Sequence, residues 1–246
     1  MGMLNGKHAV VTGGASGIGR AIAIAFAKEG GTVTIADYAS EASIADAVKA
    51  TGNGAQGRRI NVADEKDVVQ LFDAVGKSGG IDILVNCAGI LIEKPLLETS
   101  VADFDRQIGV NLKGVFLVGR EALRLMVAQD RGGRVINISS ELAYLGRENC
   151  SLYCASKGGV LSMTRSWARE FAPKILVNTI APGPTDTPML GIEQTSAETL
   201  AQESNNPLGR LGRPEEIAAA ALFLAGPGST FMTGQCVSPN GGAAMF

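Results

Sequence analysis

Short apolar runs recur along the chain, and each is followed by a longer segment in which apolar residues return every three to four positions. The runs fall at 8–12 (HAVVT), 32–37 (TVTIAD), 57–62 (GRRINV), 81–89 (IDILVNCAG), 133–140 (GRVINISS), 175–183 (ILVNTIAPG) and 234–238 (GQCVS). The helical period occupies 17–30, 41–50, 65–76, a long stretch near 101–129, 153–172 and 214–226. A three-to-four spacing puts one apolar stripe on a helix, whereas a continuous apolar run suits a strand buried on both faces. Alternation sustained this long predicts an α/β fold, a doubly wound parallel sheet with helices on both faces. No linker, low-complexity tract or composition break divides the chain, so residues 1–246 are expected to form a single domain.

The longest irregular stretch, about 183–213, follows the carboxyl end of a strand and is rich in proline and small polar residues. Long loops in compact domains commonly bind ligands, and 184–207 is expected to be a substrate-binding loop.

Composition narrows the functions by exclusion. A chain of 246 residues can bury a sizeable core without metal or disulfide staples. Its 22 basic and 24 acidic residues are spread along the chain for a net charge of -2, which offers no basic face for nucleic acid. The N-terminus lacks the apolar core and cleavage site of a secretory signal, and no run of 18 apolar residues occurs, so no membrane association and a soluble cytoplasmic protein are expected. Cys87, Cys150, Cys154 and Cys236 form no C-x-x-C pair and have only His8 as an imidazole partner, so no metal site is expected.

Candidate chemistry begins where the first strand ends, in TGGASGIG, residues 12–19. Gly13, Gly17 and Gly19 allow a tight turn and close backbone approach, and with Ser16 and Ile18 they open a helix whose amides point at anionic oxygens, the geometry that holds a pyrophosphate. The chain lacks the Lys-Ser/Thr ending of a nucleoside triphosphate loop and the G-x-S-x-G elbow of a serine hydrolase. Asp37, at the end of the second strand, can accept from ribose hydroxyls and would repel a 2'-phosphate, which predicts NAD in preference to NADP.

Seven segments in register, TGGASGIG, NCAG (86–89), VNLKG (110–114), NISS (137–140), YCASK (153–157), PGPTDT (182–187) and GRLGRPEEIA (209–218), resemble the short-chain dehydrogenase/reductase family over essentially the whole chain. The resemblance implies a Rossmann-type sheet, a hydride-transferring enzyme acting on CH–OH groups, and a homotetramer packed through the helices near 101–129 and 154–172. It implies Tyr153 as acid/base, Lys157 as its partner, and Ser140, 13 residues before the tyrosine, in preference to Ser139. Asn111 would hold a water relay behind them. Asn86, Ala88 and Gly89 would line the adenosine side. Pro182, Gly183, Thr185 through its backbone and Thr187 through its hydroxyl would contact the nicotinamide. Three departures stand out: Asn61, with Val62 on the adenine, where the family usually has Asp; Asn240 for the Asp of a terminal DGG; and Thr185 for Val or Ile. Trp167 and Phe171 are interface anchors or core residues.

Elementary chemistry supports the Tyr-Lys pair. A tyrosine pKa of about 10 must fall by ~2 to 3 units for the phenolate to act as a base near neutrality. Residues i and i+4 share a helix face, so Lys157 is expected to supply part of that shift. The expected substrate is a small molecule with a secondary alcohol or ketone, favouring a sugar or polyol on the strength of Glu141 and Asn149. Leu142, Met189, Leu190 and Ile192 keep a 3-oxoacyl thioester reductase as the alternative. A catalytically inactive NAD-binding regulatory protein is the rival from another class.

Overall fold

A computed structural model of the chain describes residues 2–191 and 196–245. Seven parallel strands form one sheet in the order β3-β2-β1-β4-β5-β6-β7. They are β1 (His8–Thr12), β2 (Thr32–Asp37), β3 (Gln56–Arg59), β4 (Ile83–Asn86), β5 (Gly133–Ile138), β6 (Ile175–Ile180) and β7 (Cys236–Val237). The helices among the described residues are α1 (Gly17–Lys28), α2 (Glu41–Thr51), α3 (Glu65–Lys77), α4 (Val101–Ile108), α5 (Gly114–Gln129), α6 (Leu142–Leu145), α7 (Ser151–Phe171), α8 (Ala197–Glu203) and α9 (Pro214–Ala225).

The two faces of the sheet carry separate cores because successive strand residues point to opposite sides. Ala9 and Val11 of β1 join Ile22 and Phe26 of α1, Ile44 of α2 and Ile217 and Leu224 of α9 on one face. Val10 joins Leu71 and Phe72 of α3 and Leu117 and Met126 of α5 on the other. Trp167 and Phe171 of α7 pack against this second core; the Trp167 ring lies over Gly119, where a Cβ would sit 2.4 Å from it. They therefore act as core residues within the chain.

Three elements differ from the sequence expectation. The third strand is shorter and its residues are mostly exposed, because β3 is the sheet edge and the chain turns at Ile60, whose amide donates to the Asp37 carbonyl at 2.8 Å. The long helix near 101–129 is interrupted by a wider, π-type turn at Gly109–Lys113. The stretch 183–213 is not wholly irregular: Ser196 caps α8, its Oγ accepting from the Thr199 amide at 3.1 Å.

Candidate active site

The segments leaving β1, β2, β4, β5 and β6 at their carboxyl ends surround a cleft of about 930 Å³. In an open parallel sheet this is where the order of connections reverses direction and leaves a crevice.

At one end stands the glycine turn. Gly13 has φ +66, and a Cβ on it would lie 2.8 Å from Ala88 Cα; a Cβ on Gly19 would lie 2.1 Å from the Gly13 carbonyl oxygen. Gly17, at φ +48, faces the Thr187 side chain, which would be 3.2 Å from a Cβ there. Helices α2, α3 and α4 are capped by Ser40, Asp64 and Ser100 side chains, whereas Ser16 gives α1 no side-chain cap. The first amides of α1 thus keep their donor capacity for an anion, and the cradle fits the pyrophosphate of a dinucleotide.

Asp37 lies on the wall of the same end. Its Oδ2 accepts from the Ala15 amide and its Oδ1 from the Ala39 amide, each at 2.9 Å, which fixes the carboxylate while leaving each oxygen further acceptor capacity. Arg59, opposite Asp37 in the strand register, stacks on the Tyr38 ring at 5.1 Å and is not part of the cleft wall. Asn61, Val62, Ala88 and Gly89 also line this cleft. The Asn61 side-chain oxygen accepts from the Ala63 amide at 3.0 Å, so the amide that replaces an acid here holds its own turn.

At the other end Ser140, Tyr153 and Lys157 meet. Ser139 and Ser140 part company: the Ser139 hydroxyl donates to the Lys157 carbonyl at 2.8 Å, while the Ser140 hydroxyl accepts from the Leu142 amide at 3.2 Å, lines the cleft and favours ionisation of Tyr153. Lys157 is buried, its Nζ donating to the Ile138 carbonyl at 2.9 Å and lying 5.5 Å from the Tyr153 ring centre. Pro182, Gly183, Thr185 and Thr187 close the remaining wall. Gly183 abuts Asn240, whose side chain bonds Ala244 and Gly242 and so ties down the C-terminal turn.

Burial dominates the electrostatics of this end. Burial pushes Tyr153 up to about 12, with the Ser140 hydrogen bond pulling in the opposite direction. Burial lowers Lys157 to about 8. Desolvation is the largest cause of both shifts, and it disfavours the charged form of each group.

Two asparagines of the motif set lie behind the wall. Asn86 is not on the cleft wall; it is buried in the sheet and its Nδ2 donates to Asn137 Oδ1 on β5 at 2.9 Å. Asn111 is also off the wall, at the π-type turn, where it clamps the backbone of Ile90: its Oδ1 accepts from the Ile90 amide and its Nδ2 donates to the Ile90 carbonyl, both at 2.9 Å. The wider turn buries this side chain behind Gly89, whose Cβ would be 3.5 Å from Asn111 Oδ1 and 3.6 Å from Lys157 Nζ.

The substrate end is lined by Ile90, Leu91, Glu93, Glu141, Leu142, Arg147, Met189, Leu190, Thr199 and Glu203. Asn149 is not among them: it is an exposed turn residue at φ 61 whose carbonyl accepts from the Lys94 amide at 2.8 Å. Ile192 lies outside the described residues. Glu203 lies within the 184–207 segment expected to bind substrate, but neither helix α8 nor the pairing of Glu203 with Arg147 was legible. Thr12 was missed as well. Its Oγ1 accepts from the Cys87 and Ala88 amides at 3.1 and 3.2 Å and so pins the segment after β4 against the cradle. Burial raises the Cys87 thiol to about 12 and the Cys150 thiol to about 11, which keeps both protonated.

A glycine turn fitted for a dinucleotide, joined by one cleft to a Ser-Tyr-Lys cluster, defines a nicotinamide-dependent oxidoreductase, and the chain belongs to the short-chain dehydrogenase/reductase family. It is an enzyme of CH–OH and carbonyl groups. The family model described as enoyl-(acyl carrier protein) reductase matches residues 13–244. The chain is similar to a 3-oxoacyl-(acyl-carrier-protein) reductase of Thermotoga maritima, 40% identical with 97% of this chain and 98% of the relative covered. It is 43% identical to a cis-4-hydroxycyclohexanecarboxylate dehydrogenase of Sinomonas cyclohexanicum, with 96% of each covered. A crystal structure of a short-chain type dehydrogenase/reductase from Mycobacterium marinum superposes with a TM-score of 0.90 at 34% identity, covering 97% of this chain and 95% of that one. Among the described residues no helix is long and apolar enough to cross a membrane.

Proposed function

We propose that this chain is an NAD-dependent dehydrogenase of a hydroxyl-rich small molecule, a sugar or polyol, acting reversibly on a secondary alcohol. The observation that carries the reading is the convergence of Ser140, Tyr153 and Lys157 on a cleft whose far end presents a fixed carboxylate, Asp37, and whose near end presents another, Glu141. The bound nicotinamide would supply the hydride acceptor or donor. Tyr153 exchanges the hydroxyl proton with the substrate. Burial keeps the Tyr153 phenol protonated, the form that donates to a carbonyl in reduction; as a base it depends on stabilisation of the phenolate, to which Ser140 contributes. Lys157 fixes the end of β5 through the Ile138 carbonyl and presents its ammonium to the ring. Asn111 acts as a positioning residue that holds the Ile90 segment of the pocket wall. The segment 184–207 contributes Met189, Leu190, Thr199 and Glu203 to the substrate end and is its covering loop.

Exposed Val101, Phe104 and Phe116 on α4 and α5 support assembly as a homotetramer in the cytoplasm, which light scattering tests. The second reading, a 3-oxoacyl thioester reductase, is favoured by the 40% identity to the Thermotoga enzyme and by the apolar Leu142, Met189 and Leu190. Turnover assays across polyols, hydroxy acids and 3-oxoacyl thioesters, each with NAD and NADP, separate the two. Polyol oxidation with NAD is expected, and activity confined to thioesters overturns it. Asp37→Ala is expected to lower the NAD over NADP preference by about tenfold, the equivalent of one lost charge-assisted hydrogen bond.

A further inference from the structure

Beyond Ser140 and Tyr153 the cleft wall carries carboxylates that proton and hydride exchange do not use. Glu141 follows Ser140 directly, lines the cleft and is 5% exposed. Its Oε2 is buried without a hydrogen-bond partner. Glu203, 7% exposed, reaches the same wall from α8, and Glu93 from the segment after β4. Arg147, the cation between them, is already engaged: it bonds Glu203 at 2.5 Å and faces Glu93 at 3.8 Å. Glu141 receives only its longer-range attraction, against repulsion from Glu203.

A buried acceptor with no partner is costly, and folded proteins rarely keep one without a use. For the ionised carboxyl the missing partner is a hydrogen-bond donor, and the surrounding acids reject a negative charge. Glu141 lines the same cleft as Ser140, Tyr153 and Lys157, so the molecule whose carbinol meets the tyrosine is the one placed to offer that donor.

We propose that Glu141 is the specificity-determining residue of this cleft: its carboxyl accepts from a second hydroxyl of the substrate, so the preferred substrate is an uncharged diol or polyol, and a carboxylate in that place is refused. The assignment rests on the polyol reading above.

Rates with NAD on three probes test it: butane-2,3-diol, butan-2-ol and 3-hydroxybutanoate. The wild type is expected to prefer the diol over the mono-alcohol by about tenfold or more in kcat/KM, and to use the hydroxy acid least. In Glu141→Leu the diol KM rises about tenfold with little change in kcat, so the preference disappears. Glu141→Gln, which keeps the shape and an acceptor oxygen, retains part of the preference and admits the hydroxy acid about tenfold better. The glutamine variant carries the test if the leucine variant fails to fold. A diol preference unchanged in the folded variants, or a wild type that uses the hydroxy acid as well as the diol, overturns the role of Glu141 while leaving a polyol dehydrogenase intact. Activity on 3-oxoacyl thioesters alone removes the polyol reading and this assignment with it.

Discussion

The two ends of the cleft are made of different materials. At the cradle, recognition is by backbone: glycines that permit the turn, amides of α1 left without a side-chain cap, and one carboxylate held by two amides. At the Tyr153 end it is by side chains: a buried lysine, a half-buried phenol and a glutamate with an orphaned oxygen, each shifted by burial from its ordinary protonation behaviour. Backbone recognition tolerates many side chains and fails only through geometry. Side-chain recognition is sensitive to a single functional group and to pH.

The sharpest way to separate the ends is Tyr153→Phe. Losing the proton-exchanging hydroxyl is expected to reduce turnover by roughly 1000-fold while the NAD dissociation constant, measured by fluorescence titration, stays within about threefold. A wild type that binds NAD but turns over none of the probes, and whose binding Tyr153→Phe leaves unchanged, would instead support the inactive binding-protein rival. The mirror experiment is Gly19→Ala. A Cβ 2.1 Å from the Gly13 carbonyl forces the cradle apart, so the NAD dissociation constant should rise by about tenfold or more and unfolding free energy should drop by about 1 to 3 kcal/mol, with the Tyr153 end unaltered at saturating cofactor.

The smallest effect concerns pH and belongs to the side-chain end alone. Burial and the Glu203 charge raise Glu141 to about 7. Below the ordinary carboxylate value of 4.5 both folded and unfolded chains hold this proton, and no penalty arises. As pH rises towards 7 the unfolded chain loses the proton first, so stability falls across that window, by at most roughly 3 kcal/mol. Denaturant melts at a series of pH values should show this fall in the wild type and a flatter profile in Glu141→Gln. Identical profiles would mean that Glu141 ionises normally.

Legibility in the sequence followed the same division. The strands on both sides of β1, the glycine turn and the Tyr-Lys spacing could be read because each depends on local periodicity or on backbone freedom within a few residues. The edge strand β3 was harder, since half of its environment is solvent and its pattern is not apolar. Asn86 and Asn111 sit in family motifs, yet their side chains point to Asn137 and Ile90, partners 51 and 21 residues away. No local pattern encodes such a partner. Glu203 and Arg147, paired across 56 residues, were invisible for the same reason.

What the chain determined by itself was the alternation of strand and helix, hence the parallel sheet, and the glycines that open one strand end to a phosphate. Periodicity and positive φ are properties of neighbouring residues, so they survive in one dimension. The tertiary structure alone decided which carboxylates share a cavity, and that burial drives Tyr153 up and Lys157 down. Those outcomes depend on desolvation and on distances between remote segments, and neither exists until the helices have closed over the sheet.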